Sequence, residues 1–337
     1  MHGLNSNMME RSTATSFPVY LNSNSTLQEP TQISTIPLSQ LVIWCVAFAL
    51  VAVAIIIGNI LTIRVFSRKK LLRMRANCFL ITLAVADLLV GAFAVPLYIH
   101  QLVWYWKTNS NDRGSYVAHM AIDIFTGFAS IFALTIIALE RLYAVMYPLK
   151  HRVVSKCTYY LLIAVVWVLS ALVAVLYFMN GLKVFKLKVF FYFIIFFISS
   201  SLLVICIAYV LIWVKVTLHK QDAPRRGSKY QEEIEQNKRS KQEKNLVTTL
   251  LILTLVFVLT WVPFYILNIV VFFHAKWGSS HIPFEAFCFT KLLHYSNSFA
   301  NPIVYSIRIP RFKRSLLGSF RRRKKTLLRS LRLSKRQ

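Results

Sequence analysis

Seven apolar stretches, each of about twenty residues or more, limit the possible architecture more than any other feature. About twenty apolar residues in a helix cross the hydrocarbon core of a bilayer, where no water is present to satisfy backbone N–H and C=O groups left unpaired. The stretches run approximately from Leu41 to Phe66, Cys78 to Val103, Val117 to Met146, Tyr159 to Phe178, Val189 to Val214, Leu246 to Phe273 and Phe284 to Ile307. They predict an all-α membrane protein, a bundle of seven transmembrane helices.

Charge then orients the bundle. Across 337 residues, 40 Lys and Arg against 12 Asp and Glu give a net charge of +28, a balance also seen in nucleic-acid binders. The distribution points to no nucleic-acid partner. Basic residues collect between the apolar stretches, with Arg64, Arg68, Lys69, Lys70, Arg73 and Arg75 in one group and thirteen Lys or Arg from Arg308 to the end. Cytoplasmic segments have this character under the positive-inside rule. An odd number of spans then places the amino end outside the plasma membrane and the basic carboxyl end in the cytoplasm. The first forty residues are polar and lack both lysine and an apolar core, so no signal peptide is expected and the first span acts as its own insertion signal. Asn24-Ser25-Thr26 is a glycosylation acceptor in that outer tail, with Asn24 as its site.

The chain therefore divides into an extracellular tail (1–40), a seven-span unit (41–307), an amphipathic membrane-surface helix (308–320) and a basic cytoplasmic tail (321–337). In the third part Pro310 opens a stretch with Phe312, Leu316, Leu317 and Phe320 at helical spacing among basic residues, which suits the inner leaflet. Membrane lipids are thus expected partners, the polybasic tail being drawn to anionic headgroups. His219 to Lys244 reads as a flexible polar loop, and Met179 to Lys188 as a very short link turning at Asn180-Gly181. No internal repeat or pair of broken helices suggests a transporter, and no charge rings suggest a channel. The eight histidines show no metalloenzyme spacing, so no enzyme is expected.

Polar residues inside a bilayer are costly and need a partner or a function. The first span holds Asn59, the second Asp87, the third Asp123 and Ser130, the sixth Trp261 before Pro263, and the seventh Asn297, Ser298, Asn301 and Tyr305. Glu140 and Arg141 lie side by side at the end of the third. With "GN" at Gly58-Asn59, "LAVADLLVG" around Asp87, Trp167 in the fourth span, "ERLYAVMYPL" after the third, "FVLTWVPF" in the sixth and "NPIVY" from Asn301 to Tyr305, the chain resembles the rhodopsin-like, or class A, G-protein-coupled receptors. The resemblance covers Leu41 to Phe320. It implies an extracellular ligand and a heterotrimeric G protein as partners.

The family's second-span aspartate binds an allosteric sodium ion, and the resemblance puts Asp87, Ser130, Asn297, Ser298 and Asn301 in that role. All-oxygen ligation suits a hard cation. The other reading is a protonated Asp87 in a polar, water-filled network. No other cofactor is expected. The family's usual disulfide at the top of the third span is missing, since Tyr116 stands there, and Ser201 replaces the usual fifth-span proline. These departures are similar to melanocortin receptors, whereas "LAVADLLVGAFAVPL" and Asn268 are closer to aminergic or adenosine receptors.

By the same resemblance, Asp123 holds the ammonium of a small amine, Tyr295 caps that carboxylate, and Trp261, Phe264, Tyr265 and Asn268 line the ligand site. Lys291, one turn above Tyr295, gives a second reading in which it neutralises Asp123 itself. Nucleoside, lipid and peptide ligands are the alternatives to an amine. A retinal pigment is not expected, because opsins carry their lysine where this chain has Tyr295. Glu140 and Glu243 correspond to the two acids that restrain Arg141 in the silent receptor, with Tyr209 and Tyr305 as further switch residues. Pro148 and Leu149 stand where the family contacts the G protein. Arg225-Arg226-Gly227-Ser228 resembles a basic-directed kinase site.

Overall fold

The computed structural model describes residues 36–67, 77–108, 112–181, 187–218, 230–273, 283–308 and 312–314. Asn24, Ser228 and most of 308–337 lie outside the described residues, as does the side chain of Glu243. Helix α1 (Leu38–Phe66) forms the first span. The second consists of α2 (Asn77–Leu89), a π-helical turn (Val90–Ala94) and α3 (Val95–Thr108). Helix α4 (Arg113–Met146) is the third span, followed by the short α5 (Pro148–Val153). Helices α6 (Lys156–Gly181), α7 (Leu187–Leu218), α8 (Tyr230–Phe273) and α9 (Phe284–Arg308) complete the seven.

Local chemistry explains the boundaries. Pro96 has no N–H to donate, and the widened turn immediately before it absorbs the break that a proline makes in a helix ladder. Asp112 caps α4, its carboxylate accepting from the N–H groups of Gly114 and Ser115 at 3.2 Å each. Hydrogen bonding, first from the Ser115 side chain, holds the Asp112 carboxyl below the usual range. At the other end of α4, Tyr147 leaves helical geometry (φ −130°, ψ 63°), and Pro148 opens α5 at a position that tolerates a missing N–H.

Two sequence expectations are corrected. Much of the segment expected to be a flexible loop is helix, because α8 begins at Tyr230 and runs 44 residues. Residues 230–245 are rich in Glu, Gln, Lys and Arg without Gly or Pro, all good helix formers, so a polar extension of the sixth span is stable. Asn180 and Gly181 are not a turn between helices but the last two residues of α6.

Among the described residues six helices are long and apolar enough to cross a membrane by themselves, and α9 is not one of them. Its buried face carries Lys291, His294, Tyr295, Asn297, Ser298 and Asn301, while Phe289, Ile303 and Ile307 point outward. A polar face turned into the bundle keeps such a helix compatible with lipid on its other side.

Helix α4 is the centre of the bundle, packing on α2, α6 and α7 and touching α8, while α9 closes the ring between α8 and α1. Lipid tails are as apolar as leucine, so close packing holds spans together. Gly58 lets α1 approach Pro302 of α9, where an added Cβ would sit 3.0 Å from the ring, and Gly91 lies against Ile55, with 2.9 Å to an added Cβ. The larger core joins Leu83, Phe128, Ile131, Ile205, Leu253 and Tyr305, and a second joins Phe48, Ile55, Tyr98 and Tyr295. Along α4, Asp123 and Arg141 are separated by eighteen residues, about 27 Å of helix.

Candidate functional site

Three polar groups occupy the bundle along α4. Nearest its start, Lys291 of α9 reaches across to Asp123, with Nζ 2.6 Å from Oδ2. The two side chains are only 3% and 10% exposed. Around the ammonium stand the rings of Phe264 at 4.3 Å, Tyr295 at 4.8 Å and Tyr98 at 5.8 Å, a cage favourable to a cation. Of the two readings of Asp123, this geometry matches the one in which Lys291 neutralises it. Helix rotation makes the pairing possible: both residues face the bundle interior at one level.

Tyr295 shares a 2.8 Å hydrogen bond with Nε2 of His119, one turn from Asp123 on α4. His119 was not singled out by the sequence, and only its spacing of four from Asp123 hinted at a shared face. His294 fills the space between Trp261, at 4.5 Å, and Phe264, at 5.0 Å. Trp261 also stacks on Phe257 at 4.8 Å. Asn268 donates to the Phe264 carbonyl one turn back on its own helix at 2.7 Å. Gly127 of α4 faces the Trp261 ring so closely that a Cβ there would lie 2.7 Å from Cη2. Buried Gln101 Oε1, His119 Nδ1, Tyr265 OH and His294 Nδ1 have no protein hydrogen-bond partner. They are buried polar atoms whose hydrogen-bonding capacity the protein leaves unused in this half of the bundle.

The disulfide-free top of α4 is tied down otherwise. All five cysteines are free, and Gln101 Nε2 of α3 donates to the Ser115 carbonyl at 3.1 Å. Ser201, in the place of the usual proline, is buried within an unbroken α7.

Midway along the bundle Asp87 is fully buried. Asn301 Nδ2 donates to its Oδ2 at 2.7 Å and Ser130 Oγ to its Oδ1 at 3.4 Å. Asn59 Nδ2 donates to the Ser298 carbonyl at 3.0 Å, linking α1 to the cluster. The buried Oδ1 of Asn297 has no donor from the protein. One carboxylate with hydroxyl and amide oxygens around it fits a small hard cation better than a soft metal.

At the far end of α4, Arg141 is ion-paired with Glu140. Glu140 also meets His151 of α5 at 2.7 Å and Tyr159 of α6 at 3.4 Å, partners beyond a break that Pro148 signals in the sequence but whose direction only the backbone shows. Pro148 and Leu149 begin α5, and Leu149 is 76% exposed. Tyr209 of α7 accepts from Thr254 of α8 at 3.5 Å. Tyr305 packs on Phe66 at 5.7 Å and Phe312 at 6.1 Å.

Comparison with known proteins agrees with this arrangement. The family described as 7 transmembrane receptor (rhodopsin family) matches residues 58–305, most of the chain. Somatostatin receptor type 5 of Rattus norvegicus is 29% identical over 298 residues, covering 80% of this chain and 75% of that one. Substance-P receptor of Cavia porcellus is 24% identical over 331 residues, covering 90% and 76%. Neuromedin-K receptor of Rattus norvegicus is 26% identical over 338 residues, covering 91% and 71%. With its seven-helix ring, the Asp87 cluster and the Glu140-Arg141 pair in the matched span, the chain belongs to the rhodopsin family of seven-transmembrane receptors, the class A G-protein-coupled receptors.

Proposed function

We propose that the ligand of this receptor is a peptide, received at the outer end of the bundle around Asp123, Lys291, Tyr295, Trp261, Phe264, Tyr265 and Asn268. The carrying observation is the closed Lys291–Asp123 ion pair. A small amine needs a free buried carboxylate, and breaking a buried pair to obtain one leaves an ammonium without a partner. A peptide instead gains its contacts from many amides, which the unpartnered polar atoms of Gln101, His119, Tyr265 and His294 suit. The relatives named for somatostatin, substance P and neuromedin K support the same class. The test is to challenge receptor-expressing cells with these three peptides and a panel of amines, nucleosides and lipids, reading cAMP and calcium. A saturable response to a peptide is expected; a response to a simple amine that Asp123→Asn abolishes overturns the reading.

The basic segments put the amino end outside the plasma membrane and the carboxyl end in the cytoplasm. There Arg141, restrained by Glu140 and Glu243 and flanked by Tyr209 and Tyr305, meets the heterotrimeric G protein, with Pro148 and Leu149 on the contact surface. Asp87, Ser130, Asn297, Ser298 and Asn301 hold a sodium ion whose charge balances the buried carboxylate. Phe312, buried against Phe66 at 5.2 Å, supports a membrane-surface helix over 308–320.

A further inference from the structure

Both oxygens of Glu140 are occupied. Oε2 takes the Arg141 guanidinium. Oε1 lies 2.7 Å from Nε2 of His151 and 3.4 Å from the Tyr159 hydroxyl, and these two partners are themselves 3.2 Å apart. A carboxylate oxygen only accepts, so Nε2 of His151 carries a hydrogen whether or not the ring is charged. The Tyr159 hydroxyl donates to the same oxygen.

His151 is thus the one contact through which α5, the helix bearing Pro148 and Leu149, reads the state of the Glu140 carboxylate among the described residues. The groups facing it are Glu140 and Arg141 of α4, the Tyr143 ring at 6.2 Å and Tyr159 of α6. On its own helix Lys150 and Arg152 flank it, and the Lys150 ammonium lies over the Tyr147 ring at 5.5 Å. Its side chain is 25% exposed, open to protons at that end of the bundle.

Charge decides what this contact does. A neutral His151 adds a hydrogen bond and leaves the full negative charge of Glu140 to Arg141. A charged His151 divides that single negative charge between two cations that repel each other, so Arg141 is held less firmly while α5 is held more firmly. We propose that His151 is a positioning residue that sets how tightly Glu140 holds Arg141, its protonation favouring the released, G-protein-competent state. The proposal rests on reading the Glu140–Arg141 pair as a restraint on signalling. The charge on His151 is therefore read out as a change of basal activity with pH, the more active side being the one on which the imidazole is protonated.

The test measures basal GTPγS loading per surface-labelled receptor in washed membranes. Purified heterotrimers of the stimulatory, inhibitory and phospholipase-activating classes are added, between about pH 6 and about pH 8. Wild type should load about twofold or more faster at the acidic end. His151→Gln, which keeps a neutral N–H donor, should stay flat at the wild-type alkaline level. His151→Arg, permanently charged, should be high throughout, and His151→Lys takes its place if the arginine variant fails to reach the membrane. A His151→Gln profile that slopes like wild type overturns the proposal, because another group then carries the titration. A permanently charged variant no more active than alkaline wild type overturns it too. Glu140→Gln separates the two failures: unchanged basal loading means the restraint itself is absent, whereas raised loading beside a sloping His151→Gln profile rejects only the role of His151.

Discussion

Lys291 holds Asp123 through a 2.6 Å contact inside a cage of aromatic rings, so the two opposite charges near the start of α4 offset each other inside the bundle. Removing one partner leaves the other charge buried and unpaired, which typically costs about 3–5 kcal/mol. Asp123→Asn and Lys291→Met should each lower the melting temperature of the purified receptor strongly. The double variant should recover much of the loss, because neither charge remains. Thermal denaturation of all four proteins closes the cycle. Additive losses would mean the two residues do not act as a pair.

A second relationship in the same half of the bundle concerns Gly127. A methyl at that position would meet the Trp261 ring at 2.7 Å, nearer than unbonded carbons come, and the ring is wedged between Phe257 and His294. Overpacking a tight core typically costs about 1–3 kcal/mol. Gly127→Ala should therefore destabilise the receptor, and Trp261→Phe in the same chain, with its smaller ring, should relieve the strain. Melting of the single and double variants checks this, with equal losses in both arguing against a clash.

Much of this fold was legible because apolar length alone marks a span. The exceptions have physical causes. Helix α9 turns its polar face inward, so its composition understates its place in the bundle. The start of α8 is polar and looked like a loop, although its residue types favour helix. The site was legible where one side chain implied its own need for a partner, as Asp87 and Arg141 do. Where the partner depends on the rotation of another helix, sequence offered two readings, as for Lys291 with Asp123, or none, as for His119 with Tyr295. His151 lies beyond the break at Tyr147, and only backbone geometry there brings it back to Glu140.

Sodium dependence can be read without knowing the ligand. A cation bound by Asp87 and its oxygen neighbours stabilises the folded receptor by mass action. Melting temperature should be higher in sodium chloride than in N-methylglucamine chloride at equal ionic strength. Asp87→Asn should erase the difference, since an amide supplies no charge. A sodium effect equal in both proteins would place the ion elsewhere and leave Asp87 in a polar network of its own.

The Glu140–Arg141 contact yields the last prediction. If it restrains signalling, only the silent state loses by its removal, and the equilibrium moves by that difference. A loss of about 1.4 kcal/mol raises the active-to-inactive ratio tenfold, which is visible without ligand if about one per cent of receptors are active at rest. Glu140→Gln should accordingly raise basal second-messenger output per surface receptor by about tenfold or less. Glu243→Gln should do the same if that residue supplies the second restraint. Arg141→Ala should reach the membrane but couple poorly, because it lacks the group released toward the G protein. If the charges merely fix the end of α4 at the lipid interface, all three changes lower expression and leave output per receptor where it was. Basal output normalised to surface label separates a restraint from an anchor.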